Sequence, residues 1–190
     1  MKITTIRHGE TDWNVAKRIQ GSVDTELNKI GLHQAELLAK RLASEPCDVI
    51  YSSDLKRAKK TAEIINAHHR VELIATPNLR EINFREFEGK NIEDDQVRAA
   101  LDAYSDKHAL SYFTKINTYM EEILQKDNEN IFIVGHFGTV RAIVCYLLQA
   151  TIDQRVLYAV NNTAIHTFEK LDDGKFRMTL ENDTAHLTNY

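Results

Sequence analysis

Five side chains of types that act on phosphate stand shortly after separate apolar runs of this sequence. Two are histidines, two are arginines and one is a carboxylate. In an open α/β sheet, the residues that follow the parallel strands collect at one edge, where ligands bind. We therefore expect these side chains to meet in the folded protein. They are Arg7 and His8 after the first run, Arg57 after the second, Glu81 after the third and His136 after the fourth.

This combination of side chains suits the transfer of a phosphoryl group. Arginine presents a planar set of donors that matches phosphate oxygens. A histidine can attack phosphorus through one ring nitrogen when the other is held as a donor, and a second histidine can stabilise charge on the transferred group. A carboxyl group can protonate the leaving oxygen and then activate water. The sequence has no metal-ligand spacing such as His-Glu-x-x-His, so we predict neither a metal nor another cofactor.

Short apolar runs alternate along the chain with segments of helical periodicity. The alternation predicts an α/β fold: a three-layer sandwich with a mostly parallel sheet, helices on both faces and a C-terminal antiparallel hairpin around Asp172-Asp173-Gly174. Residues 83–105 are the least periodic and most charged, so we interpret them as a surface excursion with some helix. The predicted strands are 2–6, 48–51, 71–75, 130–134, 164–171 and 175–180, and the predicted helices are 28–44, the residues after Ser52-Ser53-Asp54, 110–125 and 139–148.

Length and composition limit the classes of protein to consider. The 190 residues suit a single domain, 1–190, with a short cap excursion at about 83–109. A net charge of −4 without a basic stripe argues against nucleic-acid binding, and no apolar stretch reaches the roughly 18 residues of a membrane span. Cys47 and Cys145 lack ligand-like spacing and have apolar neighbours, so we expect free thiols in the cytoplasm.

The run Arg7-His8-Gly9-Glu10-Thr11-Asp12-Trp13-Asn14 resembles the N-terminal signature of the histidine phosphatase superfamily, the phosphoglycerate mutase-like proteins. The resemblance covers nearly the whole chain in the family order, which is far more specific than a lone Arg-His-Gly. The other matching segments are Gln20-Gly21, Asp24-Thr25-Glu26-Leu27, Gly31-Leu32-His33-Gln34-Ala35, Tyr51-Ser52-Ser53-Asp54-Leu55-Lys56-Arg57-Ala58, Thr61-Ala62, Leu79-Arg80-Glu81, Phe87-Glu88-Gly89, Val134-Gly135-His136 with Arg141, and Asn182-Asp183-Thr184-Ala185-His186-Leu187.

The resemblance implies a metal-free reaction and a role for each matching residue. His8 corresponds to the nucleophile that becomes phosphorylated, and Glu81 corresponds to the proton donor. The phosphate pocket corresponds to Arg7, Arg57 and His136. The positions that line the substrate pocket correspond to Asn14, Gln20 and Gly21.

Two residues beside His136 depart from the family pattern, which commonly has serine before this histidine and glycine after it. Gly135 removes a hydroxyl group, and Phe137 places a bulky ring where the backbone usually approaches phosphate. Either the ring turns away from the site, or it narrows the site and slows turnover. The second outcome would leave a catalytically weak, phosphate-binding regulatory module.

The short excursion bears on the choice between phosphatase and phosphoglycerate mutase. Mutases of this family close a longer insertion over an intermediate that must be rephosphorylated, whereas a short, open excursion admits water. We therefore expect a phosphatase that acts on a small phosphorylated substrate, with a mutase as the alternative. Arg85 could favour a second anionic group or simply face solvent. The hairpin could leave an open sheet edge that pairs into a homodimer.

Overall fold

The computed structural model describes residues 1–187, and six strands within them form one mixed sheet. The strands are β1 (Lys2–Arg7), β2 (Val49–Ser53), β3 (Glu72–Thr76), β4 (Asn130–Gly135), β5 (Ile165–Lys170) and β6 (Phe176–Asp183). Their order across the sheet is β3-β2-β4-β1-β5-β6. The first four strands pair in parallel, whereas β5 runs antiparallel to both β1 and β6. The α-helices are α1 (Asp12–Val15), α2 (Lys29–Leu42), α3 (Lys56–His69), α4 (Asp95–Leu124) and α5 (Phe137–Leu147).

Helices cover both faces of the sheet because its central strands are apolar on both sides. Along β4, Ile131 and Ile133 belong to one core cluster with buried residues of α4 and α5. Phe132 and Val134, which alternate with them, belong to a second cluster with buried residues of α2 and α3. This is the alternation that a strand imposes on successive side chains. It confirms the predicted three layers and the mostly parallel sheet.

The excursion contains more helix than the sequence predicts. The structure has one continuous helix of 30 residues, α4, instead of a surface segment followed by a helix from residue 110. The helix begins where the Asp94 carboxylate accepts hydrogen bonds from the backbone N–H groups of Gln96 and Val97. Its first half is mostly exposed, so its apolar periodicity is weak. A small cluster of Leu101 with Ile19 and Phe87 packs it against the rest of the chain.

The C-terminal hairpin forms at the predicted turn. Gly174 has a φ of +84°, a conformation that glycine adopts readily, and β5 and β6 flank it. At the far end of β6, the Arg41 guanidinium of α2 donates two hydrogen bonds to Asp183, of 2.9 and 2.5 Å. This ion pair connects the last strand to α2, a helix of the layer that packs on one face of the sheet. Among residues 1–187, none of the helices combines the length and the apolar character needed to span a bilayer.

We expect Asp183→Asn to lower the free energy of unfolding at neutral pH by up to about 1 kcal/mol. The hydrogen bonds from Arg41 lower the pKa of Asp183 from 3.8 to about 2. A carboxylate with a lowered folded-state pKa stabilises the fold above its unfolded value, and this contribution is lost as the pH falls towards the folded value. The difference in the free energy of unfolding between native protein and variant should therefore have its maximum value above pH 4 and should shrink between pH 3.8 and about 2.

Urea unfolding of both proteins across this pH range measures the difference. Asp172→Asn, at an exposed position in the hairpin turn, is the control and should show none. An Asp183→Asn difference that persists undiminished at pH 2 would contradict the ion-pair explanation.

Candidate active site

Sheet register places the two predicted site histidines next to each other. Arg7, the last residue of β1, pairs with Gly135, the last residue of β4. The residue that follows each is a histidine, and the ring centroids of His8 and His136 lie 5.3 Å apart. Both side chains are almost fully buried, with 3% and 1% exposure. The parallel pairing of β1 with β4 therefore creates this site.

His8 is oriented by its own loop. Its Nδ1 lies 2.7 Å from the Gly9 carbonyl oxygen, which can only accept, so Nδ1 carries the proton and Nε2 carries the lone pair. The backbone is held too, because the His8 N–H donates to the Gly135 carbonyl and the His8 carbonyl accepts from Asn162 Nδ2. Burial, with the charges of Arg57 and Arg7, lowers the pKa of His8 well below 6.5. The ring is therefore a neutral imidazole with a nucleophilic nitrogen.

His136 has the complementary arrangement of its ring nitrogens. Arg57 Nε donates a hydrogen bond of 3.2 Å to His136 Nδ1, so the proton of the neutral ring must be on Nε2. Burial and the charge of Arg57 lower the pKa of His136 well below its usual value. Within the described residues, the buried Nε2 has no hydrogen-bond partner. One ring thus offers a lone pair and its neighbour offers an unused donor.

Arg57 lies in the first turn of α3 and is 1% exposed. Besides His136, its guanidinium donates to the carbonyls of Gly21 and Val23 and to the Thr25 hydroxyl. Four of the five N–H groups of an arginine are therefore engaged, and one remains for a ligand. The N-cap residue of this helix makes no side-chain hydrogen bond. Instead, the Lys56 N–H donates to the Asp24 carboxylate, which comes from a distant loop.

Arg7 has more donors available than Arg57. Its Nη1 donates to the Val160 carbonyl at 2.7 Å, while its buried Nε has no partner among residues 1–187. Burial lowers the pKa of Arg7 to about 10, although Glu81 opposes the shift. The guanidinium remains charged at neutral pH. Arg7 is therefore the arginine best able to receive an anion here.

Glu81 is held at the N-terminus of α5. One of its carboxylate oxygens accepts from the Ile82 N–H and the Tyr112 hydroxyl, and the other accepts from the Gly138 N–H at 2.9 Å. The N-terminal N–H groups of a helix favour a negative charge at this place. A β-carbon at residue 138 would lie well inside van der Waals contact of Glu81 Oε1. The absence of a side chain at Gly138 therefore makes room for the carboxylate.

A cavity of about 620 Å³ opens over this group of residues, and four of the five catalytic candidates line it. His136 does not contribute to the wall and lies buried beside His8. The three predicted substrate-binding residues also line the cavity. Cavities of this size hold small organic molecules. The lining candidates are Arg7, His8, Arg57 and Glu81, together with Asn14, Gln20 and Gly21.

The three substrate-binding candidates also make contacts that support the local structure. Asn14 Oδ1 accepts from the N–H and hydroxyl of Thr11, which caps α1, so its Nδ2 is the group left for a ligand. Gln20 Oε1 accepts from Thr25 at 2.6 Å. Gly21 has a φ of +51°, and its carbonyl accepts from Arg57. All three residues line the cavity, and two of them also help to hold Arg57: Gly21 directly, and Gln20 through Thr25.

The profile of the histidine phosphatase superfamily, branch 1, matches residues 3–184. The chain belongs to this superfamily. It is 34% identical to the metal-independent phosphoserine phosphatase of Arabidopsis thaliana over 98% of this chain and 83% of the relative. Phosphoglycerate mutase-like protein 4 of the same plant is 31% identical over 98% and 86% of the two chains. A crystal structure of an Entamoeba histolytica phosphoserine phosphatase mutant with phosphoserine superposes with a TM-score of 0.83, at 28% identity and 98% coverage of both chains.

The first departure from the histidine phosphatase pattern, Gly135, is compensated within the fold. A β-carbon at this residue would lie 2.9 Å from Thr139 Cγ2 and 3.0 Å from its Cβ. Thr139 therefore occupies the space that a serine side chain would need. Its hydroxyl contacts the Tyr112 hydroxyl at 2.9 Å and donates to the Leu79 carbonyl at 3.1 Å. A hydroxyl is still present near this position, supplied by Thr139 in the first turn of α5.

The second departure, Phe137, is a residue of the cavity wall. It is the first residue of α5, which begins two residues earlier than the sequence predicts. Its ring lines the cavity and is 39% exposed, so it does not turn away from the site. The Arg141 guanidinium carbon lies 4.0 Å from the ring centroid and that of Arg7 lies 5.5 Å from it. The ring thus lies close to two cations, which its π face attracts.

Several residues of the wall were not found by reasoning from the sequence. Tyr112 is buried and donates to the Arg80 carbonyl and to Glu81, but it lies within a long helix, where its spacing indicates only a core residue. Arg85, which the sequence does single out, is exposed and is not part of the wall. The other unforeseen polar residues of the wall are Arg18, Asp102, Ser105, Asp106 and Arg155.

We expect Gly138→Ala to reduce kcat for a phosphomonoester by about tenfold or more, because the new methyl group displaces Glu81 from its three donors. Phosphate release under saturating substrate measures the effect. Glu81→Ala and the double variant complete a double-mutant cycle. If the methyl group acts through Glu81, the double variant has the activity of Glu81→Ala. A further loss in the double variant would show that Gly138 has another role.

Proposed function

We propose that the chain is a metal-independent phosphatase that hydrolyses small phosphomonoesters through a phosphohistidine formed on His8. The observation that carries the proposal is the opposite protonation of the two adjacent rings. Gly9 fixes the proton of His8 on Nδ1, and Arg57 fixes that of His136 on Nε2. This gives a nucleophile and a neighbouring donor without any proton transfer. Membership of the superfamily and the names of its relatives support the same activity.

In the first step, His8 Nε2 attacks phosphorus and the bond to the leaving oxygen breaks. Arg7 and the remaining N–H of Arg57 bind the phosphoryl oxygens, and His136 Nε2–H donates to one of them. Glu81, which lines the same cavity and carries a proton at the start of this step, transfers that proton to the leaving oxygen and becomes the carboxylate. The alcohol then departs with its proton, and the phosphoryl group stays on His8. Positive charge on Arg7 and Arg57 offsets the charge of the transferred group.

In the second step, Glu81 takes a proton from a water molecule that attacks the phosphohistidine. Inorganic phosphate leaves, and His8 regains its neutral form with the proton still on Nδ1. The cavity of about 620 Å³ leaves room for water once the alcohol has left. This favours hydrolysis over the mutase reaction, in which the phosphoryl group must return to the bound intermediate.

We propose further that the protein acts in the cytoplasm, does not bind nucleic acid or membranes, and pairs as a homodimer through a sheet edge. Support for the compartment comes from Cys47 and Cys145, which are both free thiols. Burial raises the pKa of Cys47 to about 11, so this thiol resists ionisation.

Support for the dimer comes from β6, an edge strand with an unpaired side. Sedimentation of the purified protein tests the dimer.

We expect the native chain to release phosphate from phosphomonoesters in the presence of a chelator, and His8→Ala to abolish release. His68→Ala removes an exposed histidine at the end of α3 and should retain native activity. Trapping with labelled substrate, quenched in alkali, should label the native chain and not His8→Ala. Isomerisation of 3-phosphoglycerate without phosphate release would favour the mutase. Loss of activity with the chelator would overturn the metal-free mechanism.

The lowered pKa values of His8 and His136 predict the acid limb of kcat/KM, which reports the free enzyme. Since both rings lose their protons well below pH 6.5, they are neutral and competent at pH 6.5 and above. The acid limb of the enzyme should therefore lie below pH 6.5. The second ionisation of a phosphomonoester, near pH ~6, also falls in this region. Two substrates whose phosphate groups ionise at different pH values separate the contribution of the substrate from that of the enzyme. An acid limb that lies at pH 6.5 for both substrates would contradict the prediction.

A further inference from the structure

The turn around Thr163, just before β5, supports the backbone of the proposed nucleophile. The Thr163 N–H donates to the carbonyl oxygens of both Arg7 and His8, at 3.1 and 3.3 Å. Asn162 Nδ2 donates to the same His8 carbonyl at 3.0 Å, and the Arg7 N–H donates to the Ala164 carbonyl at 3.3 Å. The backbone from which the His8 ring projects therefore depends on the shape of this turn.

Thr163 has an unfavourable backbone conformation. Its φ is +53°, in the left-handed region that few residues other than glycine adopt, and a β-branched side chain is a genuine outlier there. Residues in such conformations persist only where the surrounding structure holds them. The side chain of Thr163 is fully buried. The contacts that hold it must therefore come from the interior of the protein.

The C-terminal segment of the described chain supplies these contacts. His186 Nε2 lies 3.0 Å from the Thr163 hydroxyl oxygen, within hydrogen-bond distance. Asn182 Oδ1 accepts a hydrogen bond of 2.8 Å from the N–H of Asn161, the first residue of the turn. Burial and, after it, the charge of Arg41 lower the pKa of His186 to about 4. The ring is therefore neutral at neutral pH, and it meets the Thr163 hydroxyl as an uncharged hydrogen-bonding group.

We propose that His186 is a positioning residue for the nucleophile, because its hydrogen bond holds Thr163 in the conformation that fixes the backbone of His8. The proposal rests on the proposed function, since it concerns the alignment of His8 for attack on phosphorus. His186 is not among the described residues that line the cavity, so it acts through Thr163 and not on the substrate. Attack depends on accurate alignment, and a misplacement of about 1 Å can slow such a step by roughly 100-fold.

Phosphate binding depends less on this series of contacts than the chemical step does. The guanidinium groups that receive the phosphate have acceptors of their own. Arg7 Nη1 donates to the Val160 carbonyl, and Arg57 donates to the carbonyls of Gly21 and Val23. Loss of the His186 contact should therefore slow phosphorylation of His8 while the affinity for the phosphomonoester changes little.

Single-turnover release of nitrophenolate from para-nitrophenyl phosphate, with protein in excess, measures this step. Nitrophenolate is a good leaving group, so its release reports the attack by His8. We expect His186→Ala to lower the maximal rate by about tenfold or more and to change the half-saturating concentration by less than about threefold. His186→Gln should restore most of the rate, because its amide can donate or accept a hydrogen bond. Thr163→Val, which keeps the branched side chain without the hydroxyl, should be as slow as His186→Ala.

Glycine at residue 163 tests whether His186 acts through the conformation of Thr163. Glycine adopts a positive φ readily, and Thr163→Gly keeps the N–H that donates to Arg7 and His8. In the Thr163→Gly background, His186→Ala should therefore lower the rate by much less than it does in the native chain. An equal loss in both backgrounds would overturn the proposal.

Asp183→Asn is the matched control, because it weakens the same C-terminal segment at Arg41 and leaves the contact between His186 and Thr163 in place. It should lower stability while the rate per folded molecule, with folded protein measured by circular dichroism, stays near the native value. A loss of rate equal to that of His186→Ala would show that general docking of the segment matters, and the proposal would be rejected.

A purely structural role for His186 gives a different result from the proposed one. His186→Ala would then lower the free energy of unfolding and leave the rate per folded molecule at the native value, which would also reject the proposal while the phosphatase function stands. If the native chain releases the alcohol from neither para-nitrophenyl phosphate nor any other phosphomonoester, the proposed function itself fails.

Discussion

The buried guanidinium of Arg57 is the constraint on which the site depends. It links three parts of the chain: the start of α3, the 21–25 loop and the His136 ring. Each contact has a chemical consequence. The bonds to Gly21 and Val23 hold the loop that contributes Gly21 to the cavity wall, and the bond to His136 decides which nitrogen of that ring bears the proton. Because the group is buried and charged, losing these acceptors would leave an uncompensated cation in the interior.

A second consequence of this burial is the neutrality of both imidazoles. The chain carries a net charge of −4, yet Arg7 and Arg57 create a local positive field at the ends of β1 and β4. Burial of the two rings, reinforced by that field, lowers the pKa of His8 and of His136, which keeps a lone pair available on His8, the proposed nucleophile. The same field attracts anions, including the phosphomonoester of the proposed reaction. One pair of arginines thus serves both affinity and reactivity.

Much of this arrangement could be predicted from the sequence, because strand exits and residue types are local features. The run before His136 is apolar on every residue, and that alone indicates a buried strand. The residues that escaped prediction depend on contacts between distant segments. Tyr112 reaches Glu81 across the helix layer, and Thr139 fills the space beside Gly135. The first half of α4 is stabilised by its cap and by Leu101 rather than by a regular apolar stripe, so its periodicity is too weak to reveal it.

The continuity of α4 has a consequence for how the substrate selectivity of such a protein can change during evolution. The helix contributes Leu101, Ala109 and Tyr112 to the cavity wall. The same helix continues into the hydrophobic core, where Met120 and Ile123 are buried. A wall built on a rigid element is already in its final position when the ligand arrives. Exchanges of single side chains along its outer turns therefore alter the shape offered to a leaving group without altering the reactive end. Such a helix lets the chemistry stay constant while substrate preference diverges.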